Sequence, residues 1–181
     1  ILLSILFTYL FDPSSTGFLN NVLKWMGLAP LKWLEDPNLV IPLIVITMTW
    51  RGAGATALIY LSALQQIDTN FYEAARIDGA GPLQRAWHIT LPSILPSISV
   101  LFVLQIISVM QVFFEPFVMT HGGGADRSSL SLLLLSYQLA FTEGRADLSS
   151  AATIVLFSII AILSLLYFLL VRAFRKKGYE V

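Results

Sequence analysis

Arg51, Gln105, Ser108, Gln111 and Glu115 are set inside long apolar runs of a 181-residue sequence, with Trp50 beside the first of them. A guanidinium, two amides, a hydroxyl and a carboxylate offer hydrogen bonds to a polar solute, and an indole offers a stacking face. None of them pairs a nucleophile with a base. Glu73 could serve as an acid or base with His88, but no nucleophile, second carboxylate or metal-ligand spacing accompanies either, and His121 falls in a different segment. Gly122-Gly123-Gly124 has the look of a phosphate loop, yet no Lys-Ser/Thr follows, which argues against a nucleotide site. Cysteine is absent, so there is no thiolate site and no disulfide framework. The expectation is recognition without catalysis, with no catalytic residue, no metal and no cofactor in this chain.

The elements that must position these residues are membrane helices. Mean hydropathy is +0.77, and only 12% of residues are charged, about half the share of a soluble domain. Net charge is zero, so nothing suggests nucleic-acid binding. Ile1 to Phe11 is apolar but covers only about half of a roughly 30 Å hydrocarbon core, and reads as a partial span with further membrane helices expected before it. A signal peptide would need a basic start and a small-residue cleavage site, which are missing. Residues 12–37 form an aqueous loop with a short surface helix, punctuated by Asp12-Pro13, Gly17, Gly27 and Asp36-Pro37 and carrying the interface-favouring Trp25 and Trp33.

Residues 39–64 form one crossing with Arg51 near its middle. Residues 95–120 form the next, on which Gln105, Ser108, Gln111 and Glu115 share about a third of a turn at 100° steps and should face inward. Leu130 to Phe141 is too short to cross and reads as a re-entrant or interfacial helix. Residues 151–171 make the last span, followed by the basic tail Arg172, Arg175, Lys176 and Lys177.

Residues 65–94 lie between two spans. Asn70 is placed to cap a first helix, with Glu73 closing a capping box, and Gly79 is placed as a left-handed stop. Gly81 and Pro82 restart a helix, and Pro92 ends it. The expected product is a rigid L-shaped handle. Its fixed positions, Glu73-Ala74-Ala75, Gly79, Ile89 and Leu91-Pro92, resemble the EAA loop of ABC-importer permeases. Gly17-Phe18-Leu19-Asn20 and Trp33-Leu34-Glu35-Asp36-Pro37 resemble the outer loop of the sugar-importer branch, relatives of the maltose and glycerol-phosphate permeases. Phe113, Met119-Thr120 and Gly122-Gly123 are similar to that family's Thr-x-Gly-Gly-Pro segment, with Gly124 in place of the proline, which puts the rigidity of the turn in question.

The resemblance implies an all-α membrane protein, a polytopic transmembrane helix bundle of the type I ABC importer permease (MetI-like) kind, N-terminally truncated. It implies partners: an ABC ATPase subunit dimer that binds the ATP, a second permease subunit, a periplasmic or lipid-anchored solute-binding protein, and membrane lipid. Glu73, Ala74, Ala75, Asp78, Gly79, Ile89, Leu91 and Pro92 would couple to the ATPase, and the solute would be a carbohydrate or related polar compound. A non-transporting membrane subunit and an ion-driven secondary transporter are the competing classes, and the EAA pattern disfavours both. Leaving out Arg51, six Lys and Arg lie on the side of the handle and tail against four on the other, which places handle and C-terminus in the cytoplasm of a bacterial or archaeal cell.

A charge near a bilayer midplane needs compensation. Arg51 lies about 20 Å along its helix from Leu64, and Gln111 about 21 Å from Ser97, so the two can share a level. Two readings stay open: a substrate pathway formed by Trp50, Arg51, Gln105, Ser108, Gln111 and Glu115, or a structural network in which Arg51 reaches Glu115.

Overall fold

The computed structural model describes the backbone of residues 1–176 and the side chains of residues 1–172. Of the basic tail, the side chains of Arg175 and Lys176 and all of Lys177 lie outside the described residues. Among the described residues all regular structure is helical: α1 (Leu2–Leu10), α2 (Phe18–Trp25), α3 (Pro37–Gln65), α4 (Thr69–Ile77), α5 (Pro82–Arg85), α6 (Leu91–Met110), α7 (Phe114–Met119), α8 (Leu132–Tyr137) and α9 (Ala146–Lys176), with short π and 3-10 turns between. Among the described residues three stretches are long and apolar enough to cross a membrane: Pro37–Gln65, Pro82–Met119 and Ala146–Arg172. Their large side chains are mostly exposed, as befits helices whose solvent is hydrocarbon. The chain divides into two compact units, Ile1–Gly52 with Ser108–Ile159, and Ala53–Ile107 with Ile160–Val181.

The first unit holds the buried core. Phe7 of α1 and Phe11 just past its end meet Leu34, Leu43 and Met119, and the Phe11 ring lies 6.2 Å from that of Trp33. Beside this cluster, Asn20 is completely buried. Its amide donates to the carbonyls of Ser14 (2.9 Å) and Leu31 (3.0 Å). Its carbonyl oxygen accepts from the Leu31 N–H and from the Trp33 indole, both at 2.9 Å. One side chain therefore satisfies the polar groups of a loop folded over an apolar core, where an unpaired group costs about 1 to 3 kcal/mol. Trp33 is thus held by a buried amide and only half exposed, whereas Trp25 is exposed.

In the second unit the handle is built from local signals. Asp68, not Asn70, is the N-cap of α4: its carboxylate accepts from the Asn70 N–H at 2.9 Å. The Asn70 side chain instead donates back to Asp68 at 3.2 Å. Both residue types cap well, and the chain starts its helix two residues earlier than the Asn70–Glu73 spacing suggested. Gly79 has φ +79°, a conformation that an L side chain adopts only with strain. Pro82 opens α5, and Gln84 accepts from the Gly81 N–H at 2.9 Å.

Pro92 does not end a helix. Residues 86–90 widen into a π turn, and α6 continues directly from Leu91 through Pro92 and Pro96. Proline removes one N–H and presses on the carbonyl four residues before it; a wider turn relieves that contact. The Ser93 hydroxyl donates to the Ile89 carbonyl at 2.6 Å, satisfying a backbone acceptor in this stretch. Across the bend, Tyr72 and Thr90 share a hydroxyl hydrogen bond of 2.8 Å.

Candidate functional site

α3 is continuous through Arg51, Gly52 and Gly54, and it carries the guanidinium to Glu115 in the first turn of α7. The two side chains form an ion pair and hydrogen bond. It is asymmetric: the Arg51 side chain is 43% exposed and that of Glu115 only 2%. A carboxylate so buried is tolerated only with a charged partner, so Arg51 is the compensation that Glu115 requires as much as the reverse. Part of the Arg51 side chain thus remains exposed.

The helical stripe expected of Gln105, Ser108, Gln111 and Glu115 is broken. α6 stops at Met110, Phe113 has φ −134° and ψ −56°, and α7 begins at Phe114. The 100° count therefore cannot be carried from Gln111 to Glu115. The break leaves helix-end carbonyls to satisfy. Ser131 donates to the Val112 carbonyl at 2.6 Å while capping α8. Trp50, Ser108 and Gln111 are exposed in the same unit as the ion pair, and Gln105, also exposed, belongs to the other unit. The structure thus brings Arg51 and Glu115 together and leaves the remaining candidates at exposed positions.

Several polar groups around the break escaped the sequence reading. Thr120 donates to the Pro116 carbonyl at 2.7 Å and meets the Ser129 hydroxyl at 2.8 Å. Gln138 donates to the Gly122 carbonyl at 2.6 Å. Ser136 of α8 lies 3.0 Å from the Ser149 hydroxyl and 2.7 Å from that of Thr153, both on α9. Phe113 stacks on Phe117 at 5.2 Å, with Tyr137 edge-on to both. The four-residue spacing of Phe113 and Phe117 was the one readable trace of this cluster.

At the glycine turn, Gly124 has φ +75°, which proline cannot adopt. A Cβ there would meet the Ser129 hydroxyl at 3.1 Å and the Ser128 hydroxyl at 3.2 Å. Gly124 therefore belongs to a turn with its own backbone course. His121, Asp126 and Arg127 take positive φ as non-glycine residues in the same segment.

On the handle, Glu73, Ala74, Asp78 and Gly79 are exposed, while Ala75, Ile89, Leu91 and Pro92 are half-buried. Ala75, Asp78, Gly79, Gln84, Arg85 and His88 line a hollow of about 450 Å³. His88 is committed locally, its Nδ1 lying 2.9 Å from the Gln84 carbonyl. A Cβ added at Gly79 would find nothing within 4 Å, so the site is open and glycine is required by backbone angle alone.

A family model described as "Binding-protein-dependent transport system inner membrane component" matches residues 1–177. The chain belongs to that family. It is 35% identical, over 98% of its own length and 60% of the relative's, to "Probable ABC transporter permease protein YurN" of Bacillus subtilis (strain 168). It is 39% identical to "Lactose transport system permease protein LacF" of Rhizobium radiobacter, over 91% of this chain and 56% of that one. Among solved structures, "Crystal structure of a bacterial ABC transporter involved in the import of the acidic polysaccharide alginate" is similar with a TM-score of 0.84 and 28% identity, covering 95% of this chain and 60% of that chain. The chain thus spans about 60% of the length of such relatives. The family resemblance carried by the Glu73–Pro92 stretch holds, as does the all-helical permease fold among the described residues.

Proposed function

We propose that the chain forms part of the permease subunit of an ATP-driven importer for a carbohydrate or related polar solute. The observation that carries this is the handle: a helix, a left-handed glycine stop and a second helix, with Glu73, Ala74, Ala75, Gly79, Ile89, Leu91 and Pro92 at the family's spacing. The handle would seat in a separate ATPase subunit, which binds the ATP, so no nucleotide is handled by this chain. Sugar-permease relatives support a carbohydrate, and a similar solved structure is that of a bacterial alginate ABC transporter "in complex with alginate pentasaccharide-bound periplasmic protein", which supports a solute-binding partner. A second permease subunit completes the proposed pathway, and the handle and C-terminus face the cytoplasm.

Within this reading, ATP closure moves the handle as a lever that biases two arrangements of the bundle. Arg51 is oriented by the buried Glu115 and contributes its exposed edge to the pathway, with Trp50, Gln105, Ser108 and Gln111 as stacking and hydrogen-bonding groups. The test is uptake by the complete parent protein, reconstituted with its ATPase, companion permease and binding protein in liposomes. ATP-dependent accumulation of a labelled oligosaccharide that fails in Gly79→Val, with the complex still assembled, is the expected result. Accumulation that proceeds without ATP, or that is unchanged in Gly79→Val, overturns the coupling assignment.

A further inference from the structure

In the second unit, α6 and α9 enclose a groove that the transport reading leaves unused. It is a cavity of about 300 Å³ lined by Val100, Val103 and Leu104 on α6 and by Tyr167, Phe168 and Val171 on α9. The rings of Phe102 and Tyr167 pack at 5.0 Å beside it. Apart from Ser99 its residues are apolar or aromatic, so it offers a carbohydrate almost no hydrogen bonds and suits a hydrocarbon chain. Register sets its depth. Ser99 lies about 6 Å along the helix from Leu95, where the expected span begins, and Leu104 about 14 Å, so the groove occupies the half of a roughly 30 Å hydrocarbon core that adjoins the handle.

At that same end Val171 is followed by Arg172, which is exposed. Phe168 and Arg172 stand four residues apart on one helix stripe, so the guanidinium follows directly on the aromatic wall of the groove. An apolar slot with a cation at its headgroup end matches one ligand chemistry. We propose that the groove binds an anionic phospholipid of the handle-side leaflet, its acyl chain against Val103, Leu104 and Phe168 and its phosphate on Arg172. A guanidinium grips phosphate through paired N–H donors, and a headgroup with net negative charge gains more from it than a zwitterionic one. The inference rests on α6 and α9 spanning a membrane and not on the solute carried.

The experiment uses the complete parent permease, exchanged in mild detergent with equal dioleoyl phosphatidylglycerol and dioleoyl phosphatidylcholine, with retained lipids counted by native mass spectrometry. The wild type should retain phosphatidylglycerol in several-fold preference. Arg172→Gln should reduce that preference by about fivefold with phosphatidylcholine retention unchanged, and Arg172→Lys should keep most of it. Leu104→Trp, which fills the slot, should reduce retention of both lipids. As a check that does not depend on a bulky substitution folding, Val103→Cys carrying a fluorophore should be quenched more strongly by brominated phosphatidylglycerol than by brominated phosphatidylcholine. Equal retention and equal quenching of the two lipids overturn the proposal. So does a disulfide between Val103→Cys and a cysteine on the companion permease with no lipid quenching, which would show the groove to be covered by protein.

Discussion

Between Gln65 and Leu91 the chain is shaped mainly by neighbours. Asp68 caps its helix through Asn70, two residues away, Gly81 is held by Gln84, three away, and Gly79 turns the backbone by itself. Around Asn20 and Glu115 the partners are distant: Asn20 is bonded to Leu31 and Trp33, 11 and 13 residues on, and Glu115 to Arg51, 64 residues back. The handle is largely exposed and can tolerate change in a side chain; the core of the first unit is buried and cannot lose one partner without stranding another. A segment held by bonds to near neighbours can shift without disturbing distant ones, whereas polar groups fixed inside apolar surroundings depend on one another.

That contrast can be broken most forcefully at the ion pair. Arg51→Met leaves Glu115 buried without its charge partner and should lower stability by about 3 to 5 kcal/mol. Arg51→Met combined with Glu115→Met should recover most of that loss in thermal unfolding of the purified complex. A loss in the double variant equal to the sum of the two single-variant losses would mean that the pair carries no coupling.

Asn20→Ala strands the Leu31 N–H and the Trp33 indole and should cost about 2 to 3 kcal/mol. Proteolysis within residues 12–36 is the direct measurement, because the amide holds that loop closed. Unchanged protection would mean that the core cluster holds the loop without Asn20.

Gly79→Val sharpens the contrast from the other side. It should cost only about 1 to 2 kcal/mol, since the left-handed angle is strained for valine but no neighbour is hit. Thermal unfolding should therefore move little while stimulated ATP hydrolysis and uptake by the reconstituted parent complex collapse together. A large stability loss with coupling intact would place Gly79 in the structural class of Asn20.

Asp68→Ala should cost about 1 kcal/mol by loss of the cap, read as faster amide exchange confined to α4. Gln111→Leu should be the mildest, within about 0.5 kcal/mol for an exposed side chain, while reducing uptake if Gln111 lines the solute pathway. Uptake at the wild-type level would remove Gln111 from that pathway.

The handle could be read from sequence because glycine, proline and a capping carboxylate act through their own backbone angles and their nearest N–H groups. Even there the local rules left choices open: Asp68 and Asn70 were both competent caps, and Pro92 could end a helix or be absorbed by a π turn. The ion pair was legible only as one of two options, because a charge at mid-span announces that it needs a partner without naming it. Glu115 looked like the fourth member of a polar stripe; the stop of α6 at Met110 removed it from that register. The Ser136–Ser149–Thr153 hydroxyl cluster gave no signal, since serine and threonine in apolar helices commonly bond to their own backbone.

By itself, then, the sequence determined the membrane class, the helix-turn-helix handle and its glycine stop, all of which depend on composition or on interactions within one turn of helix. Tertiary structure alone decided that Asn20 would be the hub of the loop between α1 and α3, that Arg51 would be spent on Glu115, and that α6 would break where Ser131 can satisfy the Val112 carbonyl. Those outcomes depend on which buried polar groups come within about 3 Å of each other, and that distance is fixed by the packing of segments far apart in the chain.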